Sequence, residues 1–320
     1  MPENILITGA SGFIGQDLIT ALLESAPDLT LTVSDIVSPP IPPAAQPHAS
    51  RVKAIQSDLT SPAACADLLK PNFTTCYLLH GIMSGGSEAN LDLGLRVNVD
   101  AHRLVLDILR KEHTGVKVVF PSSLAVYGPT GDKEVTSERT VLIPQSSYGT
   151  EKAMVELMVN DFSRRGLIDG RVVRLPTVIV RPGAPSAATS SFASGIVREP
   201  LQGEKSVLPV NDDLSMWVCS PKTTVKNLVL VKDIPKEKFG LNRTINLPGQ
   251  TVTVAQILTA LEQVGGQKAL DLVERKPDEV IQRIVGSWPD KFDTSLAKSL
   301  GLVDDVSLVE LVQAYAATLK

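Results

Sequence analysis

Tyr148 and Lys152 stand four residues apart in Tyr148-Gly149-Thr150-Glu151-Lys152. On a helix that spacing puts the phenol and the ammonium on one face. An ammonium so placed stabilises phenolate and lowers the tyrosine pKa toward neutrality. Tyr148 then becomes a general base toward an alcohol, or an acid toward a ketone. The pair alone is weak evidence, because Tyr-x-x-x-Lys also occurs on ordinary helix surfaces. Pro121-Ser122-Ser123-Leu124-Ala125-Val126-Tyr127-Gly128 changes the weighing. Its serines close a strand-like run, and the C-terminal ends of buried parallel strands are where α/β sheets bind ligands.

A second motif supplies the reaction partner. Thr8-Gly9-Ala10-Ser11-Gly12-Phe13-Ile14-Gly15 directly follows a short apolar run and opens an amphipathic stretch. Gly9 permits a tight turn, Gly12 lets backbone approach a pyrophosphate, and Gly15 allows close helix packing. Free N–H groups and the helix dipole then favour phosphate anions. Asp35 ends the second predicted strand, twenty residues after Gly15. A carboxylate there accepts hydrogen bonds from ribose hydroxyls and repels a 2′-phosphate, which favours NAD over NADP. The alternative for Asp35 is a solvated turn residue. Asp58-Leu59 ends the third strand and is placed to meet adenine, although Asp58 also reads as the start of the next helix.

These residues need a frame. Ile5–Thr8, Leu29–Ser34, Val52–Gln56, Cys76–Leu79, Val116–Phe120 and Arg171–Leu175 read as strands without strict alternation, as expected when both faces are buried. Helical stretches separate them, which predicts a doubly wound parallel sheet of Rossmann type. Helices are expected over Phe13–Glu24, about Glu88–Lys111, about Tyr148–Arg164 and about Leu308–Thr318. Leu91, Leu95, Val99, Leu104, Leu106 and Leu109, with Ala153, Leu157 and Phe162, offer more apolar surface than the sheet needs, so a homodimer through these helices is expected. Ser38–Pro47 is too rich in proline for regular structure. Residues 1–175 are expected to form the NAD-binding domain. Residues 176–320 are expected to form mainly a smaller α/β substrate lobe, with segments free to return to the first domain.

The order of the glycine motif, Asp35, Ser122-Ser123, Tyr148/Lys152 and Arg174-Leu175-Pro176 resembles the extended short-chain dehydrogenase/reductases, the group that includes nucleotide-sugar epimerases and dehydratases. The resemblance implies Ser123 as catalytic serine, Tyr148 as acid/base and Lys152 as its helper and a holder of the nicotinamide ribose. It matches Asn98 to the family's helix asparagine; a polar residue on a helix face is the alternative. Ser84–Gly94, Ser163–Gly166, Val180–Gly183 and Ser190–Leu201 are similar to the D-erythronate dehydrogenase branch, which implies oxidation of the C2 hydroxyl of a small sugar acid by NAD. One departure stands out. Where the family reads His-Leu-Ala-Ala, this chain has Leu78-Leu79-His80-Gly81. His80 is expected to contact the cofactor or line the pocket, or else to be a neutral, hydrogen-bonded histidine.

The candidates are therefore Ser123, Tyr148 and Lys152 for catalysis. For NAD they are Gly9, Ser11, Gly12, Phe13, Ile14, Gly15, Asp35, Asp58, Leu59, His80, Asn98, Tyr148, Lys152 and Pro176. For substrate they are Ser84, Ser123, Thr177, Arg181, Ser190 and Arg198, with either arginine placed to hold a carboxylate by a bidentate pair. The expected reaction is reversible hydride transfer between a secondary alcohol and NAD. Rival readings are epimerisation or dehydration through transient oxidation, reduction of a non-sugar ketone, and a cofactor-binding regulator without turnover. The intact Ser123, Tyr148 and Lys152 speak against the last.

Composition limits the partners. The 320 residues carry a net charge of −4 and 21% charged residues, which favours neither nucleic acid nor an anionic membrane. His48, His80, His102 and His113 lack metal-ligand spacing, so no metal is expected. Cys65, Cys76 and Cys219 are odd in number and far apart, which points to reduced thiols. No basic segment precedes the apolar Asn4–Gly9 run, and no stretch approaches the roughly 20 apolar residues of a span. A cytoplasmic protein with a small-molecule substrate is expected.

Overall fold

The structure is a computed structural model that describes residues 3–131 and 134–319. The first half runs β1 (Asn4–Thr8), α1 (Phe13–Ser25), β2 (Thr30–Asp35), β3 (Val52–Gln56), α2 (Pro62–Leu68), β4 (Thr75–Leu78), α3 (Ser84–Ala89), α4 (Leu91–Gly94), α5 (Ala101–Glu112), β5 (Lys117–Ser123), α6 (Ser147–Arg164) and β6 (Asp169–Leu175). The second half runs β7 (Thr177–Val178), α7 (Ser191–Leu201), β8 (Ser206–Leu208), β9 (Ser215–Cys219), α8 (Pro221–Asp233), β10 (Thr244–Asn246), β11 (Gln250–Thr253), α9 (Val254–Leu270), β12 (Val273–Arg275), α10 (Glu279–Gly286), α11 (Ser295–Ser299) and α12 (Leu308–Ala317).

Seven strands form one sheet in the order β10-β6-β5-β4-β1-β2-β3, and every pairing in it is parallel. Its inner strands β1, β4, β5 and β6 are buried on both faces because helices cover both, whereas the edge strand β3 is largely exposed. Leu18, Ile19 and Leu22 of α1 pack with Leu228 and Val231 of α8 in one core. Val105 and Leu109 of α5 pack with Val155 and Val159 of α6 in another. Leu106 and Leu109 are thus used up inside, whereas Leu91, Met154 and Leu157 remain exposed. A third core, with Ile196, Val218, Ile257, Leu261 and Val312, belongs to the C-terminal half. The segment carrying α8 and β10 returns to the large sheet, β10 pairing with β6 through Ile245 and Val173.

Two regions differ from the expected elements. The helix expected over about Glu88–Lys111 is interrupted. Asn90 is extended (φ −145°) and its side chain accepts from the Leu93 N–H, so it starts a new helix. Leu95–Asp100 then winds as a π-helix before α5, a form that accommodates a local constraint on one turn. The proline-rich stretch also finds order, since Pro43–Arg51 forms 3-10 turns with proline in the first turn, where its missing N–H costs nothing.

Candidate active site

The switch point of the sheet, where the chain moves from β1 outward on either side, opens on a cavity of about 440 Å³. Its floor is made by the ends of β5 and β6 and by the first turn of α6. Ser146 caps α6 by accepting from the Gly149 N–H at 3.2 Å. Glu88 adds an acceptor for the Ser147 N–H at 3.0 Å. A Cβ on Gly149 would overlap the Ala125 carbonyl oxygen. The absent side chain therefore lets α6 press onto the Ser123–Ala125 turn, which brings Tyr148 and Ser123 to the same cavity. Ser123 Oγ accepts from the Ala125 N–H at 3.1 Å, leaving its own O–H to donate.

Lys152 is buried, donates to the Pro121 carbonyl at 3.0 Å and lies 4.6 Å from the Phe120 ring centroid. Its Nζ is 5.7 Å from the Tyr148 ring centroid. Burial pushes the ammonium down to about 8, against the pull of Glu156 and Glu151. In the protein alone, Lys152 does not bring the Tyr148 phenol down. Burial, and then the Glu151 carboxylate, push Tyr148 up to about 12, and the cation that acts against them is Arg181. Loss of water from a half-buried phenol outweighs a lysine turned toward a backbone carbonyl.

The other end of the cavity is backbone. Gly9 has φ +68°, and a Cβ there would lie 2.5 Å from the His80 nitrogen. One on Gly15 would lie 2.8 Å from Ala10. Helix α1 begins with no side-chain cap and no acid in its first turn, so its free N–H groups meet the cavity undiminished. Ser11 Oγ is buried without a partner. Asp35 accepts from the Ser11 N–H at 2.9 Å and the Ile36 N–H at 2.7 Å, fixing its carboxylate beside the glycine turn. A dinucleotide fits this cradle: open backbone and uncapped donors suit phosphates, and the held carboxylate beside the turn suits ribose hydroxyls.

Between β7 and α7 the chain arches over the floor. It is pinned to α3 by the Gly85 N–H donating to the Ala187 carbonyl (2.9 Å) and the Thr189 N–H to Ser84 Oγ (2.9 Å). Arg181 and Arg198 both lie at this end, buried, and they differ. Arg198 donates to the Arg181 carbonyl at 3.0 Å and to Glu199 at 2.5 Å. Arg181 has a buried Nη2 with no partner, and its guanidinium stands 5.8 Å from the Phe13 ring centroid. Burial and then the charge of Arg198 lower Arg181 to about 10. An anion of the right size would relieve both.

The family model for the NAD dependent epimerase/dehydratase family matches residues 5–223. The chain belongs to that family. Its members' cofactor is NAD, and this is an NAD-dependent enzyme. D-erythronate dehydrogenase of Cupriavidus necator is 40% identical over 98% of this chain and 97% of its own. D-erythronate dehydrogenase of Haemophilus influenzae is 41% identical, with 98% of each chain covered. Among solved structures, a nucleoside-diphosphate-sugar epimerase from Agrobacterium tumefaciens superposes with a TM-score of 0.90 at 35% identity, covering 98% of this chain and 94% of its own.

In this family member the cavity brings together Gly9, Gly12, Phe13, Ile14, Gly15, Ser123, Tyr148, Lys152 and Pro176 with Ser84, Thr177, Arg181, Ser190 and Arg198. Six candidates fall outside its lining. Ser11 and Asp35 adjoin the glycine turn. Asp58 accepts from the Thr60 N–H (2.9 Å) and hydroxyl (2.8 Å), and Ser61, not Asp58, caps α2. Leu59 is buried in the α5–α6 core. Asn98 is spent on the Ile82 backbone, Ser87 and Glu151. His80 bonds Thr8 Oγ1 at 2.7 Å through Nδ1 and stacks on His102 with centroids 3.8 Å apart. Burial holds His80 down to about 3, hence neutral, which fits a hydrogen-bonded structural histidine. The sequence reading missed Leu79, Met83 and Trp288, all of which line the cavity. Trp288 comes from the turn after α10 and carries no local signal. Among the described residues no cluster of three or more His, Cys, Asp or Glu is placed to hold a metal, and no helix is long and apolar enough to cross a membrane.

Proposed function

We propose that the enzyme oxidises the C2 hydroxyl of a small sugar acid, D-erythronate or a near relative. The observation that carries this reading is Arg181: a buried guanidinium with an unpartnered Nη2, facing the same cavity as Tyr148 and Ser123. A buried cation without an acceptor is costly, and a substrate carboxylate supplies one. The relatives named D-erythronate dehydrogenase support the same choice.

NAD, when bound, supplies the hydride acceptor. The chain's own residues do the rest. The glycine turn and the N-terminus of α1 hold its phosphates, Asp35 its adenosine ribose, and Lys152 its nicotinamide ribose. Ser123 donates to the substrate oxygen and orients it. Tyr148 takes the hydroxyl proton, and in the reverse direction returns it. Arg181 anchors the carboxylate, with Ser84, Thr177 and Ser190 as hydroxyl partners along the polyol. Arg198 orients Arg181 by bonding its carbonyl. Residues 1–175 hold the cofactor and the catalytic Ser123, Tyr148 and Lys152, and 176–320 serve mainly the substrate, with β10 returned to the large sheet.

We further propose a homodimer through α4 and α6, where Leu91, Met154 and Leu157 are 53%, 42% and 66% exposed. Two-fold pairing of such a patch is the commonest oligomer. Light scattering at micromolar concentration should give twice the chain mass, and Leu157→Lys should give the monomer.

The functional reading is tested by following reduced-nicotinamide absorbance with NAD over a panel: D-erythronate, its diastereomers, L-threonine and a uridine diphosphate sugar. Turnover is expected for a four-carbon sugar acid. Turnover confined to the amino acid or the nucleotide sugar would overturn it.

A further inference from the structure

Glu151 lies between Tyr148 and Lys152 in sequence and points away from the cavity. Its side chain is buried, with 1% of the residue exposed. Oε2 accepts from Ser87 Oγ at 2.8 Å and from Asn98 Nδ2 at 2.7 Å. Both partners are neutral. Oε1 has no hydrogen-bond partner at all. Space has been cleared for it, because a Cβ on Gly94 would overlap that oxygen. Asn98 in turn holds the Ile82 backbone from both sides, its Oδ1 accepting from the N–H at 2.8 Å and its Nδ2 donating to the carbonyl at 3.1 Å. The network thus ties α6 to the segment that carries Met83 and Ser84 into the cavity.

The contrast with Glu156 is instructive. That carboxylate, one turn further along α6, is also buried, but it takes a paired set of hydrogen bonds from Arg174 at 2.6–3.2 Å. A buried carboxylate normally finds such a cation. Glu151 forgoes one beside the reacting phenol.

We propose that Glu151 is a positioning residue for the acid–base step: held by Asn98 and Ser87, its uncompensated carboxylate fixes the inner side of α6 and lays negative charge against Tyr148 and Lys152. The proposal rests on the reading of Tyr148 as the acid–base group. The charge works on both residues in a useful direction. It opposes the burial that discharges Lys152, together with Glu156. It also makes the Tyr148 oxygen a stronger base, against the pull of Arg181. The other groups near the pair are Arg198, which acts on Arg181, and the neutral His80 and His102, which feel Lys152.

The test compares Glu151→Gln with Ser87→Ala in the holoenzyme. Glutamine keeps an acceptor for Asn98 and Ser87 but removes the charge, whereas Ser87→Ala removes one hydrogen bond and keeps the charge. In the pH profile of kcat/KM for alcohol oxidation, Glu151→Gln should move the rising limb to lower pH by roughly half to one unit. Ser87→Ala should leave it in place. If glutamine prevents folding, Glu151→Leu removes the charge without adding a donor at the Oε1 position, though it takes the acceptor from Ser87 and Asn98, and should move the limb likewise. The same displacement should appear without substrate, in the phenolate absorbance titration of the folded protein after subtraction of a Tyr148→Phe reference. A limb and a titration unmoved by removal of the charge, or moved equally by Ser87→Ala, overturn the proposal. A moved titration without turnover on any sugar acid would leave Glu151 in this role and remove only the substrate assignment.

Discussion

The two ends of the cavity are built from different materials. At the glycine end the turn itself is nearly all backbone: Gly9 and Gly15 let it pack against the backbone of Leu79–His80 and Ala10, while Gly12 leaves the uncapped start of α1 bare toward the cavity. At the arginine end the work falls to side chains, Arg181, Ser190 and Trp288, brought from three places after β6. Backbone placed by a strand and a helix admits one kind of ligand and tolerates little change. Side chains on an arch and a distant turn are free to vary with substrate. A common cofactor end and a changeable substrate end follow from that division.

The sharpest break should come where the ends meet. Tyr148→Phe removes only the transferable proton, and kcat should fall by roughly a hundred- to ten-thousand-fold while NAD affinity, read by fluorescence titration, stays near the parent value. Near-normal turnover would hand the role to another group.

The arginine end should break next. Arg181→Ala should cost roughly a hundredfold in kcat/KM for the acid and little for its uncharged lactone or aldehyde analogue. Arg198→Ala should weaken both substrates together, because Arg198 is already engaged with the Arg181 carbonyl and Glu199. Equal losses on both substrates in the Arg181 variant would show that it does not read the carboxylate.

At the glycine end, Asp35 should favour NAD over NADP by on the order of a hundredfold in Kd. Its carboxylate is held by two backbone N–H groups and is partly open to water, which keeps the effect from being larger. Equal binding of both cofactors in a direct titration would remove Asp35 from that role.

The smallest effect concerns stability. Lys152 is pushed down to about 8 from 10.5. Between those values the unfolded chain binds more protons than the folded protein at this site, so stability should rise with pH across the window. Above about 10 the raised Tyr148 begins to oppose that trend, because there the folded protein holds the extra proton. Lys152→Met should flatten the rise in Tm from pH 8 to 10; an unchanged slope would mean that Lys152 is not the source.

The sequence made the glycine end plain and the arginine end only partly so. Strands such as Val116–Phe120 announce themselves through short β-branched runs between helices, and the glycine spacing is local chemistry that needs no partner to be read. Asn98 looked like a residue for cofactor or helix surface because its partners, Ile82, Ser87 and Glu151, lie up to 53 positions away. The helix expected over about Glu88–Lys111 is broken at Asn90, whose side chain caps a new helix, and Asn98 itself lies in the π-helical turn that follows, so a periodic apolar pattern overstated its continuity. Glu151, inside a Tyr-x-x-x-Lys helix, carries no signal of its own in the sequence, because the room made for it comes from the distant Gly94. Trp288 reaches the cavity from a different core, and nothing around it in the chain points there. The difference between Arg181 and Arg198 likewise appears only once their neighbours are in place.

Net oxidation, rather than oxidation followed by return of the same hydride, is the central claim. D-erythronate deuterated at C2, incubated with the enzyme and NAD, tests it in one measurement by mass spectrometry. The account predicts one equivalent of reduced cofactor carrying the deuterium for each acid consumed, with a keto acid as product. Deuterium retained in an epimerised or dehydrated acid, with no accumulation of reduced cofactor, would contradict it.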